Sequence, residues 1–269
     1  MSPIPHALRH TFTGSPGGTT ILYLHGFMGC KEDWGEVAAL TGGPYLAVDL
    51  PGHGSVSEPT ITYSDHEFTM PGAASLVIAL LDRLRTATCC PVGYSMGARL
   101  ALYLAVHHPE RVSGAIIESG SFGLRTESER SERRREDELI AQRLESEPLN
   151  SFLTWWHSRP LFAALDQSST RFKALLERRE RGDRKHLAKA LRGMGLGSQA
   201  SLWDRLTTVD RPMLFVAGER DEKYAGLARE MAALCPRGQA AIIPRAGHNV
   251  HFEQPDAFGA VVTSFLSEI

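Results

Sequence analysis

Long uninterrupted apolar runs are scarce in this 269-residue chain. The helix-length stretch AASLVIALLDRL (73–84) is amphipathic and too short to span a bilayer, so no membrane partner is expected. The opening MSPIPHALRH lacks a basic segment followed by an apolar one. No secretory leader is therefore expected, and the expected location is the cytoplasm. An excess of one charge is also lacking: 29 Lys and Arg face 31 Asp and Glu, a formal net charge of -2. That balance excludes any general pull toward nucleic acid or acidic surfaces. The four cysteines, Cys30, Cys89, Cys90 and Cys235, have no metal-ligand spacing and read as reduced thiols, not a disulfide framework. Internal repeats, low-complexity linkers, metal-ligand clusters and a dinucleotide fingerprint are all missing, so neither a metal nor another cofactor is expected.

What is present is a rhythm. Apolar runs ending in turn signals recur at TTILYLHGF (19–27), YLAVDLPGHG (45–54), CCPVGYS (89–95), GAIIESG (114–120), PMLFVAGE (212–219) and QAAIIPRAGH (239–248). Near-continuous apolar runs of this length are the pattern of buried parallel strands. Helical patterns over 72–85, 97–107, 225–234 and 255–267 fall between them. The alternation predicts an α/β fold, a mostly parallel sheet flanked by helices. Residues 121–205 break it with Arg, Glu, Leu and Trp but no strand pattern. They read as a helical cap inserted into a core made of 1–120 and 206–269, roofing a crevice at the carboxyl edge of the sheet.

Gly93-Tyr94-Ser95-Met96-Gly97 is a G-x-S-x-G between a strand and a helix, the setting of a nucleophile elbow. Flanking side chains have no room in so sharp a turn, hence the glycines. On folds with such an elbow the chain order is Ser, then Asp or Glu, then His. Asp221, just past the 212–217 run, is the acid in that order, and His248, in the loop after the last strand, is the base. His251 is a rival base in the same loop, whereas His107 and His108 belong to the exposed side of the helix after the elbow. The loop after the first strong strand, with Phe27, and the residue after the nucleophile, Met96, are the places from which such a fold supplies oxyanion amides. His53, in the DLPGHG loop, is given no catalytic role.

Arg99 lies in the first turn of the helix that the elbow opens. A cation there is unfavourable by about 0.3–1 kcal/mol unless an anion compensates it. Either a carboxylate of the protein or a carboxylate of a ligand would do so. In RTESERSERRREDELIAQRLE, residues 133, 137, 140 and 144 share a helical face, so Arg133 is drawn inward with Ile140 and Leu144, and Asp137 offers it a partner one turn on. Glu127, Glu129, Arg134 and Arg135 read as a solvated face.

The motifs VDLPGHG, GYSMGAR, GERDEKY and AGHNVHFEQP resemble those of the α/β-hydrolase superfamily over almost the whole chain. The inserted phrases EPLNSFLTWWHSRPLFAAL and LRGMGLGSQASLW are more specific. Together with the core motifs they resemble the 2-succinyl-6-hydroxy-2,4-cyclohexadiene-1-carboxylate synthase (MenH) family of menaquinone and phylloquinone biosynthesis. Ala98 stands where that family often has glycine, a small-for-small change. The resemblance implies an α/β-hydrolase fold and a lyase that expels pyruvate from 2-succinyl-5-enolpyruvyl-6-hydroxy-3-cyclohexene-1-carboxylate. It implies Arg99, Arg133 and Arg179 as substrate-binding arginines, with one residue of slippage to Arg178 left open in LLERRERGD. It also implies Tyr94 beside the nucleophile and Trp156 as a cap aromatic facing the site. The implied partner is a small polycarboxylate, and the implied assembly a monomer or small homo-oligomer. The rival reading is a hydrolase of esters, or of C–C bonds in carboxylated substrates, using the same Ser95, Asp221 and His248, since one fold hosts both chemistries.

Overall fold

Side chains of β-branched and large apolar residues favour extended backbone, and the strongest such runs here become the middle of one sheet. In the computed structural model, described over residues 8–15, 19–57 and 61–269, the elements in chain order are as follows. They are β1 (His10–Phe12), β2 (Thr19–Leu24), α1 (Gly35–Thr41), β3 (Tyr45–Val48), α2 (Met70–Arg83), β4 (Thr88–Tyr94), α3 (Met96–His107) and β5 (Ala115–Glu118). Next come α4 (Glu127–Ser146), α5 (Leu149–His157), α6 (Thr170–Arg179) and α7 (Arg184–Met194). The chain then closes with β6 (Met213–Gly218), α8 (Glu222–Leu234), β7 (Gly238–Ile243), α9 (Val250–Glu253) and α10 (Pro255–Leu266). The strand order is β1-β3-β2-β4-β5-β6-β7. Every pairing is parallel except β1 against β3.

Strand alternation sorts the core into two layers. Leu22, Leu24, Leu46 and Val48 pack with α2, α3 and α8 on one face. Tyr23, Ala47, Val92 and Ile116 pack with α1 and α10 on the other. Helices α4 to α7, all between β5 and β6, bury a third cluster of their own, including Ile140, Leu144, Phe152, Phe172 and Leu187, with Met28 from the loop after β2.

The expected strand over 45–54 ends at Val48. There the Leu50 N–H goes to the His25 ring, at 3.0 Å, and not to a neighbouring strand. The 239–248 run likewise leaves the sheet after Ile243. Strand β1 and helix α1 have no counterpart in the sequence reading; each is short and carries little periodic signal. The absence of a leader was read from the first ten residues, and 1–7 lie outside the described residues.

The sharpest constraint sits where β4 becomes α3. Ser95 has φ 50° and ψ -103°, a conformation that side chains other than glycine rarely adopt. A Cβ at Gly97 would lie 2.0 Å from the Leu24 carbonyl oxygen, and one at Gly93 would lie 2.3 Å from the Gly97 carbonyl oxygen. Backbone, not a flexible side chain, fills that space. Gly97→Ala is therefore expected to cost about 3 kcal/mol, a fall in Tm of roughly 6–12 °C measurable by thermal denaturation.

Candidate active site

The turn at Ser95 lifts its side chain off the carboxyl end of β4, and two later loops bring partners to it. His248, on the loop after β7, directs Nδ1 to Asp221 Oδ2 at 2.6 Å and Nε2 to Ser95 Oγ at 3.4 Å. Asp221 N-caps α8: its Oδ1 accepts the Tyr224 N–H at 3.3 Å while the other oxygen faces the imidazole. The hydrogen bonding assigns a proton to His248 Nδ1 and leaves Nε2 to accept from the serine hydroxyl. Tyr224, Tyr94 and Phe162 hold the His248 ring, with centroids 4.8, 5.5 and 6.3 Å away.

His251 is committed elsewhere. It is buried, its Nδ1 donates to Glu118 Oε2 at 2.7 Å and its backbone N–H donates to Glu118 Oε1 at 3.0 Å. Its ring also stacks on Trp34 at 4.2 Å. The structure thus brings Ser95, Asp221 and His248 together and leaves His251 behind them. Sequence order alone could not separate the two histidines, because the Glu118 partner lies 133 residues away.

The loop after β2 is fixed by histidine chemistry. His25 donates Nδ1–H to the Gly26 carbonyl at 2.8 Å and accepts the Leu50 N–H at Nε2. That pattern suits a neutral ring, and burial lowers the His25 pKa accordingly. His53 donates to the Pro51 carbonyl at 3.0 Å and has a buried, unpartnered Nε2. Burial, reinforced by His25, pushes its pKa down to about 3. Between these rings and the inserted helices sits Phe27, in T-shaped contact with Trp156 at 5.4 Å. The backbone N–H groups of Phe27 and Met96 donate to no described residue.

The arginines divide by their partners. Arg178 is spent on Asp33, with Nε and Nη2 at 3.2 and 3.0 Å from Oδ1. Arg179 is buried and donates from Nη1 to His157 Nε2 at 2.6 Å; its Nε has no partner. Burial and the Arg179 charge hold the His157 pKa near 3, so a neutral ring accepts from the guanidinium. Arg99 is also buried, and its Nη1 donates to the amide oxygen of Gln199 at 3.1 Å. Among the described residues no carboxylate lies within 4.0 Å of Arg99 or Arg179, and burial lowers the Arg99 pKa to about 10.

Arg133 corrects an expectation. The residue drawn inward with Ile140 and Leu144 is Asp137; the Arg133 side chain remains 30% exposed and donates from Nε to Asp137 Oδ1 at 2.8 Å. A long guanidinium stem reaches solvent from a position where a short carboxylate cannot. Burial raises the pKa of both Tyr94 and Tyr224; Glu118 adds to this at Tyr94 and Arg179 opposes it, while Arg99 and Arg133 oppose it at Tyr224. Both tyrosines pack on His248. Gln199 and His157, which hold the two buried guanidinium groups, have no place in the sequence reading. Their signal is the inserted phrases GLGSQ and WWHS, whose physical roles appear only once the chain is folded. No group of three His, Cys, Asp or Glu among the described residues is placed to hold a metal ion.

A Ser–His–Asp triple, two backbone N–H groups without a described acceptor, and buried guanidinium groups with no carboxylate in direct contact suit proton removal from a carboxylated substrate, although the Asp33 charge acts on Arg179 and that of Asp137 on Arg99. No helix among the described residues is long and apolar enough to cross a membrane. The profile of the alpha/beta hydrolase family matches residues 21–261. The chain is 34% identical over 257 residues to 2-succinyl-6-hydroxy-2,4-cyclohexadiene-1-carboxylate synthase of Enterobacter sp. (strain 638), covering 95% of each. It is 35% identical over 254 residues to the enzyme of that name from Escherichia coli O1:K1 / APEC, covering 94% of this chain and 96% of that one. Among solved structures, MenH from S. aureus superposes with a TM-score of 0.88 at 29% identity, over 98% of each chain. The chain belongs to the 2-succinyl-6-hydroxy-2,4-cyclohexadiene-1-carboxylate synthase family, within the alpha/beta hydrolases.

Proposed function

We propose that this chain is the lyase of menaquinone or phylloquinone biosynthesis that converts 2-succinyl-5-enolpyruvyl-6-hydroxy-3-cyclohexene-1-carboxylate into 2-succinyl-6-hydroxy-2,4-cyclohexadiene-1-carboxylate and pyruvate. The observation that carries the reading is the pair of buried guanidinium groups, Arg99 and Arg179, each bonded to a neutral side chain and not to a carboxylate, in a chain that also assembles the Ser95–His248–Asp221 triple. A generic esterase needs an apolar acyl pocket, whereas a substrate bearing several carboxylates needs these charges. The names of the relatives point to the same reaction.

In this reading His248 accepts the Ser95 proton, Asp221 orients and stabilises the imidazolium, and the serine oxygen takes the proton α to the succinyl ketone. The electron pair passes through the ring double bond, the ring C–O bond to the enolpyruvyl group breaks, and the departing enolate is protonated to pyruvate. The backbone N–H groups of Phe27 and Met96 hold the enolate oxygen that develops at the ketone. Arg99, Arg133 and Arg179 hold substrate carboxylates, with Tyr94 and Trp156 lining the site. Proton removal and elimination are redox-neutral: the proton taken up through Ser95 to His248 is released to solvent, and the departing enolate takes one from solvent, so no oxidant, reductant or further reactant is consumed. We further assign residues 121–205 as a cap over a core of 1–120 and 206–269, acting on a dissolved polycarboxylate in the cytoplasm as a monomer or small homo-oligomer.

Purified protein is expected to release pyruvate from the pathway substrate much faster than it hydrolyses p-nitrophenyl acetate. Brisk ester hydrolysis without pyruvate release would replace the lyase reading with the hydrolase one. Ser95→Ala, His248→Ala and Asp221→Asn should each lower kcat by about 1,000-fold or more, with non-additive losses because the three act as a unit.

His251→Ala should instead destabilise by about 3–5 kcal/mol, because it strands the buried Glu118 carboxylate. A His251 variant with normal Tm and lost turnover would move the base to that residue. Arg99→Ala and Arg179→Ala should each cost about 2–5 kcal/mol in kcat/KM, while Arg178→Ala, which strands the buried Asp33 carboxylate, should act chiefly on Tm and leave kcat/KM of the folded enzyme within about threefold of the parent. Equal losses for Arg178 and Arg179 in steady-state assays would reject the assignment of Arg179.

A further inference from the structure

The GLGSQ turn between α7 and β6 meets Arg99 through the Gln199 side chain and the α4 backbone at Arg133 and Arg134. Its glycines admit α4: a Cβ at Gly195 would lie 2.6 Å from Asp137 Oδ2, and one at Gly197 would lie 2.5 Å from the Arg134 backbone nitrogen. Gly197 N–H donates to Asp137 Oδ2 at 3.3 Å, while the other oxygen of Asp137 takes the Arg133 Nε–H. Four residues after Gly195, the buried Gln199 reaches Arg99, 100 residues away in sequence. An arginine only donates, so the atom facing it must be the amide oxygen. Nε2 of Gln199 faces the Ser121 carbonyl at 3.5 Å, which fixes the same orientation from the other side.

The choice of a neutral acceptor stands out against the neighbours. Arg133 has Asp137, Arg178 has Asp33, and Arg192 has both Glu138 and Glu145. Arg99, the most deeply buried of these four, has an amide. An amide oxygen aligns a guanidinium without cancelling its charge, whereas a carboxylate in the same place would form an internal ion pair that any incoming anion must displace.

We infer that Gln199 is a positioning and specificity-determining residue: it aims the Arg99 guanidinium while keeping its charge open to a substrate carboxylate. The 195–199 turn that carries it also seats Asp137 under Arg133, where that carboxylate takes the Nε–H alone, so one segment sets the separation of the two guanidinium groups proposed to hold substrate carboxylates. The inference rests on the proposed role of Arg99, and it makes the turn a gauge for the spacing of carboxylates on the substrate.

The test measures pyruvate release and Tm for the parent, Gln199→Glu, Gln199→Met, Arg99→Ala and the Arg99→Ala/Gln199→Glu double variant. Gln199→Glu should raise KM by about tenfold or more, with a smaller change in kcat and no loss of Tm, because a carboxylate now occupies the Arg99 charge. Gln199→Met removes the acceptor without adding charge and should raise KM by a few-fold. On the Arg99→Ala background, Gln199→Glu should add nothing. A parental KM in either single variant, or an undiminished Gln199→Glu defect in the double variant, overturns the inference. If Gln199→Glu does not fold, Gln199→Met decides on the same KM criterion. Parental kcat/KM in Arg99→Ala would overturn the carboxylate-anchor reading itself, whereas a damaged Arg99→Ala beside a parental Gln199→Glu rejects Gln199 alone.

Discussion

Backbone lies against backbone where β4 turns into α3, and the rest of the molecule is arranged around that contact. Gly97 sits so close to the carbonyl of Leu24 that the first turn of α3 is pressed onto the end of β2. This approach holds Ser95 at a positive φ. It also sets Met96 beside the loop that carries Phe27, so Ser95 and the two amides come from one junction. The long β-β crossovers then need only deliver Asp221 and His248 to the same edge. Parallel sheets place such loops at one end of the strands by their topology.

Charge is the second organising constraint. A buried guanidinium with no carboxylate in contact is costly, and among the described residues Arg99 and Arg179 are so placed, each held by a neutral partner, with the Asp33 charge acting on Arg179. The same chain spends carboxylates freely elsewhere, on Arg178, Arg192 and Arg133. Under the proposed role of Arg99 and Arg179 as carboxylate anchors, stability and affinity pull in opposite directions there.

The sheet and the order of Ser95, Asp221 and His248 were legible because they depend on local signals: apolar runs, glycine spacing and loop position. Helices α2, α3, α8 and α10 form within three residues of where their periodicity puts them. Burial of individual charges was not legible. Arg178 and Arg179 are adjacent on a helix, and what separates them is Asp33, 145 residues from Arg178, and His157, 22 residues from Arg179. Arg133 was expected inside, but its shorter neighbour Asp137 takes that place, satisfied by a backbone N–H of a turn 60 residues on. The function of a charge depends on its partner, and partners distant in sequence leave no periodic trace.

The neutral histidines under the inserted helices have a consequence for how the fold meets acid. His53 and His157 both have native pKa values near 3, against about 6.5 in an unfolded chain. Above pH 6.5 neither state binds these protons and stability is unaffected. As pH falls below it, the unfolded chain takes up protons that the native state refuses, and each histidine removes about 1.4 kcal/mol of stability per pH unit until the native ring titrates. Two such groups make the region between pH 6 and 4 a steep slope. The imidazoles that brace the loop after β2 and hold Arg179 in place thereby give the enzyme a proton-linked lower limit to its working range.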